Sequence, residues 1–174
     1  MHSSQDASDI VADRCEPTLV KLRDGRLLTL FRLVSGNRLH IGGSGGGNLW
    51  QAYSSSGGRT WTGLAATPLW SVWPQAVLMS SGVLAVSSGR PGVGLWLSAS
   101  GDGAAWEYHN VIAQHNNHVP PERRYPSAYA NVSKATDPDS CDTSHCMTTA
   151  YTGLVEAEPS TLLLAYDRRH GCVR

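Results

Sequence analysis

The chain has 174 residues, among them 18 glycines and six tryptophans, and 16% of its residues are charged, against the roughly 25% usual in globular proteins. This composition is typical of one turn-rich, aromatic-rich β domain and argues against a helical bundle. Fourteen basic residues balance fourteen acidic ones, and neither a long Lys/Arg run nor a long apolar run occurs. We therefore expect no nucleic-acid partner and no membrane span.

The first segment of the chain is polar. Residues 1–14 contain no apolar stretch of the signal-peptide kind, so we predict a disordered leader there and one folded segment over residues 15–174. The even number of cysteines and the sequon at Asn131 favour an oxidising compartment. Free thiols and an unused sequon fit equally well, so the localisation stays open, as do disulfides between Cys141 and Cys146 and between Cys15 and Cys172.

A β-hairpin pattern then occurs three times along the chain. Each copy has an apolar run, a short turn and a second apolar run, and the copies span 17–32, 74–90 and 152–167. The first two turns contain Asp24-Gly25 and Ser81-Gly82, which are hairpin signals because glycine accepts a positive φ. The third turn is built around Pro159.

A second strand pair follows each of the first two hairpins, joined by the glycine-containing turns 57–60 and 101–104. Four short strands followed by four more are typical of propeller blades, each of which is a small antiparallel sheet. We therefore predict an all-β fold with about two and a half four-stranded blades. The blades cover about 15–70, 71–113 and 147–174, with a polar, proline-containing insertion loop at about 114–146.

One of these turns carries a recognisable motif. It resembles the Asp-box of the sialidase (neuraminidase) superfamily, Ser-x-Asp-x-Gly-x-Thr-Trp, and here reads Ser54-x-Ser56-x-Gly58-x-Thr60-Trp61. The turn at 98–106 is a second, more divergent copy. The resemblance extends from Glu16 onward and implies a six-bladed propeller, of which this chain looks like the C-terminal half.

The same resemblance assigns four site residues. Sialidases have a Glu that opens one hairpin, an Arg that closes it, an Arg that begins a strand of the next blade, and a Tyr that opens the last hairpin. These positions correspond to Glu16, Arg32, Arg90 and Tyr151. Tyr151 and Glu16 would form the catalytic nucleophile pair, and Arg32 and Arg90 would bind the substrate carboxylate.

The chemistry explains these residue types. Sialic acid carries a carboxylate on its anomeric carbon, so a neutral phenol avoids the repulsion that an attacking carboxylate would meet. A neighbouring glutamate can take the phenolic proton, and sialidases are known for a Tyr nucleophile. The planar guanidinium of arginine binds a carboxylate through two parallel hydrogen bonds. The resemblance thus implies a retaining exo-α-sialidase acting on sialoglycoconjugates or other acidic glycans.

No cofactor or metal is expected. The spacing of His115 and His118, and of the cysteines with His145 and His170, fits no common zinc pattern.

Two family features have no match. No Arg-Ile-Pro motif occurs, and no aspartate lies in the family's acid/base context. We therefore expect the catalytic set to be incomplete in this chain, with the acid supplied by an N-terminal half of the propeller. The alternative is a non-catalytic Asp-box propeller segment that binds glycans or acts as a scaffold.

Overall fold

A computed structural model describes residues 5–6, 14–33, 48–71, 73–89, 92–125 and 151–166. These ranges are dominated by antiparallel β-structure, which confirms the all-β prediction. The strands are β1 (Gln5–Asp6), β2 (Arg14–Lys21), β3 (Leu27–Leu33), β4 (Asn48–Ser54), β5 (Thr60–Trp70), β6 (Gln75–Leu78), β7 (Leu84–Gly89), β8 (Val93–Ser98), β9 (Glu107–Asn110), β10 (Thr152–Glu158) and β11 (Thr161–Tyr166). One α-helix, α1 (Val111–His118), and a 3-10 turn at Pro121–Arg123 complete the described elements.

The strands form three sheets, in which all neighbours except β1 and β5 are consecutive in the chain. The first has the order β1-β5-β4-β3-β2, the second β6-β7-β8-β9 and the third β10-β11. All three predicted hairpins are confirmed as antiparallel pairs. Gly25 and Gly82 adopt φ values of 87° and 95° in the first two turns, which is the left-handed region that glycine accepts without a Cβ penalty.

The sheets pack against one another through apolar faces. Leu30 and Trp70 of the first sheet share a buried cluster with Val86 and Trp96 of the second. The hairpin β10-β11 packs on the other side, where Leu164 contacts a cluster that includes Val93, Ile112 and Tyr125. Strand β6 contacts both β2 and β10, so the first strand of the second hairpin lies beside the first strand of each of the other two hairpins.

Two segments differ from the sequence expectation. Gln5 and Asp6, within the predicted disordered leader, pair with β5 opposite Trp61 and Thr60. Helix α1 occupies the start of the predicted insertion loop. The side chain of Asn110 caps it by accepting from the backbone N–H of Ala113 at 2.9 Å, and burial of Ile112 fixes one helix face.

Several predictions lie outside the described residues. These are Arg90, the sequon at Asn131, and the cysteines Cys141, Cys146 and Cys172. None of the helices in the described ranges is both long and apolar enough to cross a lipid bilayer.

Candidate functional site

The turn between β4 and β5 is held by serine hydroxyls. The buried Ser54 Oγ accepts from the backbone N–H of Gly58 at 2.9 Å, and Ser56 Oγ accepts from that of Thr60 at 2.8 Å. Ser56, at the position of the Asp-box aspartate, therefore supplies the acceptor that a carboxylate would supply. The turn is a folding device, because these donors and acceptors satisfy one another locally.

The two turn tryptophans behave differently. Trp106 packs against the buried clusters between the first and second sheets. Trp61 instead folds over its own turn, where its Nε1–H donates to the carbonyl of Gly58 at 3.0 Å.

Hydrogen bonds connect the turn ends of the three hairpins. The guanidinium of Arg23 donates to the carbonyl of Ser80. Glu156 accepts from the backbone N–H and the hydroxyl of Ser80 at 2.8 Å and 2.7 Å, and from the backbone N–H of Ser160 at 2.8 Å. These bonds, chiefly the one from the Ser80 hydroxyl, lower the pKa of Glu156. Every polar contact here has a structural use, so we place no chemistry at this end.

The opposite, open ends of the hairpins contain the predicted site residues. Nη1 of Arg32 donates to Oε2 of Glu16 at 2.6 Å, and the two side chains are only 12% and 19% exposed. The pairing of β2 with β3 explains the contact. Cys15 lies opposite Arg32, and a β-bulge between Cys15 and Thr18 inserts an additional residue at this point.

Trp73 joins this pair to Tyr151. Its backbone N–H donates to the same Oε2 of Glu16 at 3.1 Å. Its ring meets that of Tyr151 edge to face, with centroids 5.5 Å apart and an interplanar angle of 70°. The structure therefore brings Glu16, Arg32 and Tyr151 into one cluster with Trp73, which we call the open-end cluster. The fourth predicted residue, Arg90, lies outside the described residues.

Sequence reasoning missed Trp73, although a signal for it exists. Glu16, Trp73 and Tyr151 each directly precede the first strand segment of a hairpin, at Pro17, Pro74 and Thr152. Aligning the three repeats by this position would have selected Trp73 with the other two.

The backbone of the cluster is strained. Glu16 and Trp73 both have φ of 53°, and Ser160 is the only other non-glycine residue with positive φ in the described ranges. Such conformations cost on the order of 1–3 kcal/mol each, and they concentrate at ligand-binding and catalytic sites. The shared hydrogen bond between Glu16 and Trp73 helps to hold both residues in this conformation.

The cluster combines an anion, a cation and two exposed aromatic rings. Arg32 has five N–H donors, and its bond to Glu16 uses one of them. Trp73 and Tyr151 are 49% and 55% exposed. The described residues bring together no group of three or more His, Cys, Asp and Glu side chains that could hold a metal.

This arrangement suits a small ligand that has both an anionic group and an apolar face.

Comparison of the chain with family models, with curated proteins and with solved structures gave no match.

Proposed function

We propose that the chain carries a sialidase-type site that takes a terminal sialic acid or a related acidic sugar. The observation that carries this proposal is the open-end cluster, in which Glu16, Arg32 and Tyr151 from two separate hairpins gather around Trp73. These three are among the four residues that the family resemblance assigns to the site, and the fourth, Arg90, lies outside the described residues. Chance surface positions would have no reason to share neighbours across such sequence distances.

The architecture that goes with this function is a sialidase-type six-bladed β-propeller, of which the three sheets would be consecutive blades. Two features support it. Apart from the pairing of β1 with β5, each sheet runs in sequential strand order, and β6 contacts both β2 and β10, the first strands of the other two hairpins. In a propeller the first strand of each blade lines the central axis, so the residues at the starts of these strands would surround one mouth.

The roles follow from the chemistry. The phenolic oxygen of Tyr151 would attack the anomeric carbon while Glu16 accepts the phenolic proton. Arg32, together with Arg90, would bind the sugar carboxylate. Water would then hydrolyse the tyrosyl adduct with net retention. The leaving oxygen needs a proton, and no residue of this chain matches the family's aspartate acid.

One observation favours a second function, non-catalytic binding of an acidic glycan. Oε2 of Glu16 already accepts from both Arg32 and Trp73. This carboxylate oxygen is thus already occupied by two donors, neither of which is a phenol. In this alternative the open-end cluster recognises the sugar but performs no reaction.

A covalent trap separates the two functions. A sialyl fluoride with a second fluorine beside its anomeric carbon has a leaving group that needs no protonation, so it can react without the missing acid. The sialidase-type site predicts an adduct on the peptide containing Tyr151, detected by mass spectrometry and lost in Tyr151→Phe. Glu16→Gln should slow its formation.

The other outcomes are equally informative. Saturable binding of the sialyl fluoride without an adduct on Tyr151 would establish the non-catalytic function and reject the hydrolase function. If the sialyl fluoride neither binds nor forms an adduct, both proposed functions are rejected.

A fluorogenic sialoside should give little or no turnover with the chain alone, because protonation of its leaving group is unsupported, and efficient hydrolysis would contradict that expectation.

A further inference from the structure

Trp73 is anchored by specific contacts although about half of its surface is exposed. It is 49% exposed, while the proline that follows it is buried. Its backbone is fixed by the hydrogen bond to Glu16 and by a left-handed conformation, and its ring rests on Tyr151. Exposure of apolar surface costs about 25 cal/mol per Å², so an indole that is fixed but uncovered is a candidate for ligand contact.

The contact between the rings of Trp73 and Tyr151 leaves one face of the indole for a ligand. In an edge-to-face pair at 70°, at most one face of the indole is used by its partner. Aromatic faces carry negative electrostatic potential and attract groups with partial positive charge. The C–H groups on one side of a sugar ring form such an apolar, weakly positive surface.

We propose that Trp73 is a stacking platform for the apolar face of the sugar that binds at the open-end cluster. This inference rests on the proposed function and deepens it, because it assigns a specificity role to a residue that the family resemblance does not include. Trp73 recognises the sugar ring through its face, whereas Arg32 recognises the charge. One carboxylate oxygen of Glu16 joins the two, since it accepts from both residues.

The arrangement predicts a dual requirement in the ligand. A neutral sugar would stack on Trp73 but leave Arg32 paired only with Glu16, and a small anion such as acetate would reach Arg32 without covering the indole. Neither should bind as well as an acidic pyranose.

The test uses the full chain labelled with fluorotryptophan and an unsaturated sialic acid analogue as the probe. Fluorine NMR resolves the six tryptophans, and the Trp73 signal is assigned from its absence in Trp73→Phe. We expect the Trp73 signal to shift saturably with the analogue while the signals of Trp61 and Trp106 stay in place. The shift itself is measured in the unmodified chain, and only the assignment of the signal uses the conservative variant Trp73→Phe.

Affinity measured by calorimetry provides the second readout. Trp73→Ala should weaken binding of the analogue about tenfold, because an aromatic stacking contact is lost, and Trp73→Phe should lose much less. Leu163→Ala is the matched control, since Leu163 is an exposed apolar residue at 57% on hairpin β10-β11 outside the cluster.

The outcomes distinguish this inference from the function on which it rests. Binding of the analogue with an unmoved Trp73 signal and unchanged affinity in Trp73→Ala would overturn the stacking role and leave the proposed function standing. If the analogue does not bind to the unmodified chain at all, both the stacking role and the proposed function are overturned.

Discussion

The backbone N–H of Trp73 donates to Oε2 of Glu16 at 3.1 Å, across a separation of 57 residues. Both residues stand immediately before a proline, at the start of equivalent hairpins, and both have φ of 53°. The residue before a proline normally prefers an extended backbone. The first and second hairpins therefore meet at two strained positions, which is the kind of strain that a folded protein retains where a site is built.

The ion pair of the open-end cluster should contribute to stability. Arg32→Met would leave the carboxylate of Glu16 partly buried beside an apolar side chain, and we expect the free energy of unfolding to fall by about 1–3 kcal/mol. Urea unfolding followed by circular dichroism measures the change.

The double variant Glu16→Gln/Arg32→Met is the control for this pair. It should be less destabilised than the sum of the two single variants, because neither residue then leaves the other as an unpaired charge. If the loss of unfolding free energy in the double variant equals the sum of the losses in the two single variants, the ion pair makes no coupled contribution to stability.

Gly94 should not tolerate a side chain. A Cβ at this position in β8 would overlap the ring and hydroxyl of Tyr108, which packs against Trp70 and Trp96 in the core between sheets. Gly94→Ala should therefore lower stability by about 1–3 kcal/mol or more. Thermal unfolding measures the loss.

Gly153→Ala is the matched strand control. Its added Cβ would meet the Cβ of Ala165 at 3.7 Å, an ordinary contact. We expect a change within about 0.5 kcal/mol. Equal losses at the two glycines would mean that overlap with Tyr108 does not determine the effect.

The first Asp-box-like turn should respond to the acceptor at position 56. Ser56→Ala removes the oxygen that accepts from the Thr60 N–H, and we expect a loss of about 1 kcal/mol, or about 2–4 °C in Tm for a chain of this size. Ser56→Asp introduces the aspartate of the pattern that this turn resembles and keeps an acceptor, so its Tm should equal or exceed that of the parent.

Ser55→Ala is the control for this turn, because Ser55 is exposed and adjacent. Its Tm should stay near that of the parent. A Tm in Ser56→Asp as low as in Ser56→Ala would contradict the acceptor role.

The hydrogen bonds between the second and third hairpin turns should weaken in acid. Hydrogen bonds from Ser80 and Ser160 hold the pKa of Glu156 below its ordinary value of 4.5. A carboxyl group with a lowered pKa in the folded state stabilises the fold fully above pH 4.5, and this contribution disappears as the pH falls through the lowered value. The amide signals of Ser80 and Ser160 should therefore titrate together below pH 4.5.

Glu156→Gln tests the assignment of that titration. The common titration of the two amides should vanish in this variant, because the glutamine amide does not ionise. A midpoint at or above 4.5 in the parent would contradict the lowered pKa.

The hairpins could be predicted from sequence because the signals for them are local. The apolar runs on either side of Gly25 and Gly82 identify paired strands, and a turn with positive φ at each glycine needs no information from the rest of the chain. The acceptor positions Ser54 and Ser56 were visible for the same reason, since they act on N–H groups two to four residues away.

Helix α1 and strand β1 could not be predicted in this way. The polar sequence from Gln114 to His118 hides the helix, which depends on a cap and on the burial of Ile112 against Val93. Gln5 and Asp6 have no strand pattern of their own, and the free edge of β5 determines their pairing.

By itself the sequence determined the all-β class, the three hairpins and their turns, because backbone preferences and nearest-neighbour hydrogen bonds act over a few residues. Only the tertiary structure decided that Glu16 and Arg32 pair with each other and that Trp73 lies between them and Tyr151. These contacts depend on how separate sheets pack, which is governed by the summed burial of apolar faces and not by any short stretch of chain.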